Sequence, residues 1–69
     1  MLQEGDIALA AIHETERSGM PQSYTFFKGE AAFMSDELSF LRHHNLDPAK
    51  QAELSAAIQS AERMAANAP

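Results

Sequence analysis

The sequence contains no cysteine, no tryptophan and no valine. The first absence removes disulfides, thiolate zinc sites and thiol nucleophiles together. The lack of valine, set beside abundant alanine, disfavours sheet and favours helix. Only three glycines and three prolines interrupt 69 residues, so each is an informative break. Positive charge is also scarce. Five Lys or Arg against ten Asp or Glu give a formal net charge of -5, and the five are scattered at Arg17, Lys28, Arg42, Lys50 and Arg63. No basic face can be assembled from them, which argues against direct nucleic-acid binding and against docking on an anionic lipid surface.

No apolar run approaches the roughly 18 residues that suggest a spanning helix. The start, Met1-Leu2-Gln3-Glu4-Gly5-Asp6, has no positive region and does not read as a secretion signal. A cytoplasmic protein with no membrane partner is expected. Gly-rich phosphate loops, HExxH and Ser-His-Asp arrangements are missing too, so neither an enzyme nor a cofactor or metal is expected. A chain this short buries only about 60% of its unfolded surface and is marginal alone. With disulfides and thiolate metals excluded, oligomerisation is the remaining support.

What is present is helical. A single domain over 1–69 divides into helices at about 4–18, 22–44 and 48–67. Glu4 and Asp6 suit the first N-terminus and Gly19 suits its C-cap. Ile7, Ala8, Ala11, Ile12 and Thr15 form its apolar stripe, with Leu9 off it. Gly19-Met20-Pro21-Gln22-Ser23 stops and restarts the chain, Pro21 suiting a first turn and Ser23 a cap. Gly29 costs the second helix about 1 kcal/mol relative to alanine, yet the apolar spacing crosses it without a phase shift and places it toward solvent. Asp47-Pro48 opens the third helix as N-cap and first helical residue. Its stripe is Leu54, Ala57, Ile58, Ala61, Met64 and Ala65, and the Ala65-Ala66-Asn67-Ala68-Pro69 tail should fray.

The central helix carries two apolar rows. Tyr24, Phe27, Ala31, Met34, Leu38 and Leu41 follow a three-four spacing, and Phe26, Phe33 and Phe40 repeat at seven. The first row is the seam against the third helix, while the first helix lies across one end of that hairpin. The phenylalanine row sits about 100–150° around from the seam, where a short chain cannot easily cover it. The fold class expected is therefore all-α: an antiparallel helical hairpin of central and C-terminal helices with a short N-terminal helix, assembled as a homodimeric helical bundle.

Glu30 and Glu37 run between the two rows, continuing to His44. The row of Phe26, Phe33 and Phe40 faces either the first helix, folded back over it as core, or a second copy, or a partner. For an interface these three are the candidate anchors, with Tyr24 beside them and Glu30 and Glu37 as orienting charges, since aromatic anchors dominate such surfaces. Two carboxylates seven apart on one helix are about 10 Å apart, and nothing around them in the sequence forms a pocket with a nucleophile. Adjacent His43 and His44 diverge by about 100° and cannot chelate one metal. The function expected is a small non-enzymatic regulator or inhibitor that binds another protein through this aromatic-acidic face. The alternatives are a chaperone-like or structural subunit of a larger complex and an acidic DNA mimic, although the acidic residues are dispersed rather than arrayed in rows.

Overall fold

The computed structural model describes residues 3–69, and among these every regular element is an α-helix: α1 (Glu4–Ser18), α2 (Tyr24–His43) and α3 (Pro48–Ala66). Met1 and Leu2, part of the start that lacks a positive region, lie outside the described residues.

Local chemistry sets the boundaries. Gly19 closes α1 in the left-handed region at φ 68°, its N–H donating to the Thr15 carbonyl at 2.9 Å. Only glycine adopts that conformation without a Cβ penalty. Ser23 caps α2 by accepting from the Phe26 N–H at 3.1 Å. The helix thus starts at Tyr24, not Gln22, and Pro21 stays in the connection. Asp47 caps α3 by accepting from the Lys50 N–H at 3.1 Å, with Pro48 at the first helical position, where its missing N–H costs nothing. α2 continues through Gly29, around which a Cβ would meet nothing within 4 Å.

α1 does not cross the end of the hairpin. It lies along it. Lys50 pairs with Asp6 and Ser60 bonds Glu16, two links that each join residues 44 apart. α1 and α3 therefore run parallel, and α2 runs antiparallel between them in an up-down-up bundle with extents of 36 × 19 × 18 Å. The reason is the length of the buried face of α1. Gly5, Ala8, Leu9, Ile12 and Thr15 span nearly the whole helix, and a crossing at one end would leave half of them wet.

The three largest fully buried side chains are Ile12, Met34 and Leu54, one from each helix. Phe27, Ala31 and Leu38 complete the α2 seam, while Tyr24 at its start is half exposed. Alanines at Ala57, Ala61 and Ala65 let α3 approach closely. Two stripe assignments shift. Ile7 is exposed and Leu9 buried, because α1 rolls the Gly5–Leu9–Ile12 line inward, the line on which glycine permits the nearest approach. Ser60 joins the buried face of α3, its hydroxyl satisfied by Glu16. The tail is held as well: the Pro69 carbonyl accepts the Tyr24 N–H at 2.9 Å, and Ala68 packs on the core.

The surface exposed is 4553 Å², close to the about 4,300 Å² expected of a monomeric globular protein of 7.6 kDa. The aromatic side chains left outside therefore do not reflect incomplete folding.

Candidate protein-binding face

The phenylalanine row of α2 is divided by α1. Phe26 is half-buried and packs against the core, its ring edge-on to Phe27 at 5.4 Å and 76°. Phe33 is 40% exposed and Phe40 56% exposed. The cause is where α1 begins. Its first turn sits against Phe33 and Glu37 through Gly5, so Phe40, almost a turn further along α2, has no helix beside it on that side. Its ring instead meets that of His44 at 4.5 Å, and His43 stands edge-on to His44 at 4.9 Å.

Of the other candidate site residues, Tyr24 is half exposed at the opposite end of α2, on the seam row rather than the Phe33–Phe40 face. Glu30 is half-buried. Glu37 is the most constrained. A Cβ built on Gly5 would stand 2.7 Å from the Glu37 Cβ and 3.0 Å from the Phe33 carbonyl oxygen, and would collide with the Glu37 carboxylate. The close approach of α1 to α2 thus depends on Gly5, and it traps Glu37. Its Oε1 is sealed from solvent with no hydrogen-bond partner.

The side chains next to Glu37 define a cluster drawn from all three helices. Lys50 Nζ of α3 donates to Asp6 Oδ1 of α1 at 2.6 Å, a partly buried ion pair. The ammonium holds the Asp6 carboxyl below its ordinary value against the opposing effect of burial. The same hydrogen bond raises the Lys50 ammonium. Burial pushes the Glu37 carboxyl up, the facing Asp6 carboxylate adds to the effect, and the Lys50 charge only partly offsets it. The sequence marks Asp6 only as a charge suited to the α1 N-terminus and Lys50 only as one of five scattered cations, not as a pair. Their spacing of 44 follows no motif, and only parallel packing of α1 and α3 joins them.

Beside this cluster lies an open groove of about 430 Å³, lined by Gln3, Glu4, Gly5, Phe33, Asp36, Glu37, Phe40 and Leu41. It combines apolar rings with three acidic side chains. Ile7, three residues after Glu4 on α1, is 54% exposed. A second depression of about 330 Å³ at the other end of the bundle is formed by the α1–α2 connection, Phe27, Met64 and the tail.

As chemistry, the Asp6–Glu37–Lys50 cluster suits a structural role. Lys50 already occupies Asp6, and the free oxygen of Glu37 faces protein rather than solvent, so a substrate proton has no path to it. Among the described residues no group of three or more His, Asp or Glu is placed to hold a metal ion, and no helix is long and apolar enough to cross a membrane. No protein-family model, curated protein or solved structure matches the chain.

Proposed function

We propose that this chain is a small non-enzymatic regulatory or inhibitory module that binds another protein through the α1–α2 face centred on Phe33 and Phe40. One observation carries the reading. The bundle completes a core from all three helices and a surface area normal for its mass, yet leaves two phenylalanines of one row beside a groove. Burying a phenylalanine contributes about 1.5–3 kcal/mol, so two exposed rings on one face mark a surface that gains by being covered. Phe26, the third anchor expected from the sequence, belongs to the core in this reading. The remaining set is Phe33 and Phe40, with Glu37 as the neighbouring orienting charge.

Self-association through the same face is the second occupant that the sequence suggests. The alternatives of an obligate subunit and a DNA mimic draw less support, because a closed three-helix core fits autonomous folding and the acids of the groove form one short cluster.

The experiment compares wild type with Phe33→Ala/Phe40→Ala by circular dichroism, by light scattering across a dilution series, and by capture of host protein on immobilised chain. Retained helicity with loss of a captured partner supports the reading. A wild-type dimer that becomes monomeric in the variant assigns the face to a second copy. A variant that unfolds would place these rings in the core and end the proposal.

A further inference from the structure

Resting on the protein-binding reading above, we infer that the occupant of the Phe33–Phe40 groove is a cationic segment of a partner protein, one that sets an arginine or lysine beside an apolar anchor. The groove is complementary in charge and shape to such a segment. Glu4 of α1 and Asp36 and Glu37 of α2 line the groove. Among the described residues none of the lining is basic. Phe33, Phe40 and Leu41 supply the apolar part. An aliphatic or aromatic side chain seats between the rings, and a guanidinium beside it meets carboxylates with fixed donors. A cation can also lie over an exposed phenylalanine face.

Glu37 lines the same groove, and burial and the facing Asp6 raise its carboxyl. A cation in the groove acts on its charge through space and favours the ionised form; the oxygen sealed against α1 takes no part.

The same charges disfavour a second copy. A two-fold interface apposes identical patches. Here that would bring Glu4, Asp36 and Glu37 of one protomer toward the same residues of its partner while removing water from them, and like charges brought together at an interface are costly. The net charge of -5 acts in the same direction at longer range.

The test uses two synthetic helical peptides of about five turns that share one leucine face. In one the face is flanked by arginines and in the other by glutamates. Fluorescence anisotropy measures both against wild type, Phe40→Ala, the pair Glu4→Gln/Asp36→Asn, and the control pair Glu53→Gln/Glu62→Gln on the exposed side of α3. Wild type should bind the arginine peptide at least about tenfold more tightly than the glutamate peptide, a difference of about 1.4 kcal/mol. Phe40→Ala and the groove pair should each weaken it, and the α3 pair should not.

Equal loss in the α3 pair would mean diffuse net charge rather than a groove, and would overturn the inference. Equal binding of both peptides that Phe40→Ala still abolishes would overturn the cationic partner while leaving the protein-binding reading intact. Failure of both peptides with a Phe40-dependent dimer would assign the groove to a second copy. Failure of both with a monomer would also overturn the inference, and the broader reading would then stand or fall on its own capture experiment.

Discussion

The same substitution, glycine to alanine, should act with opposite signs at two positions in this chain. At Gly29 the new methyl meets nothing within 4 Å and the backbone is helical and exposed. Alanine there removes the entropic cost of glycine within a helix, and the gain should be about 0.5–1 kcal/mol. At Gly5 the helix is just as regular, but the methyl would stand 2.7 Å from the Glu37 Cβ and 3.0 Å from the Phe33 carbonyl. The Glu37 carboxylate can swing aside; the Cβ and carbonyl are fixed to α2. α1 must therefore shift outward along its contact line with Leu9 and Ile12. Overpacking of this kind costs about 1–3 kcal/mol, while the propensity gain, about 1 kcal/mol in a helix interior, is smaller in this first turn. The expected net effect is a loss of about 1–2 kcal/mol. For a domain of this size each kcal/mol moves Tm by about 4–8 °C, so thermal melts at 222 nm should separate the two variants by about 10 °C. If Gly5→Ala melts as high as Gly29→Ala, α1 is not pressed onto α2 at this point, and the account of why Glu37 is trapped fails with it.

Glu37 itself yields a pH prediction. Its carboxyl is raised above the ordinary 4.5, so the folded state holds that proton more tightly than the unfolded one, and stability should rise as pH falls from neutral through its folded value. Asp6 is lowered from 3.8, so its contribution is present above that value and lost as pH falls through its folded value. Lys50 is raised above 10.5, and its contribution disappears only as pH rises through its folded value. Urea denaturation should therefore show highest stability in weak acid, and Glu37→Gln should stabilise at neutral pH and flatten that rise, because the amide keeps an acceptor but loses the charge that burial and Asp6 disfavour; a wild-type profile that falls monotonically from neutral to acid would contradict this. Met34→Ala should cost about 2–5 kcal/mol, the range for a fully buried large side chain, and leave the chain largely unfolded at ambient temperature, whereas Phe40→Ala should cost well under that; near-equal denaturation midpoints for the two would erase the distinction between core and face.

How far the site was legible in the sequence differs residue by residue. Phe33 and Phe40 stood out because a spacing of seven puts them on one side of a helix whatever the helix packs against. Phe26 shares that spacing, yet the structure draws it into the core beside Phe27, since α1 lies along that stretch of α2. Glu37 reads from the sequence as an orienting charge between the two rows. Its burial comes from Gly5, 32 positions earlier, whose missing side chain lets a second helix settle over it. Asp6 and Lys50 gave no local signal because their link is made only by the parallel course of α1 and α3.

By itself the sequence determined the three helices and their caps at Gly19, Ser23 and Asp47, which rest on interactions within a few residues along the chain, and it marked the α2–α3 seam through the three-four spacing of apolar residues on each helix. The roll of α1 that buries Leu9 and exposes Ile7, its lengthwise course, the ion pair that ties it to α3 and the sealed oxygen of Glu37 were decided only in the tertiary structure. Each depends on how closely one helix can approach another, and that distance is set by pairs of residues far apart in the chain, whose meeting no local periodicity encodes.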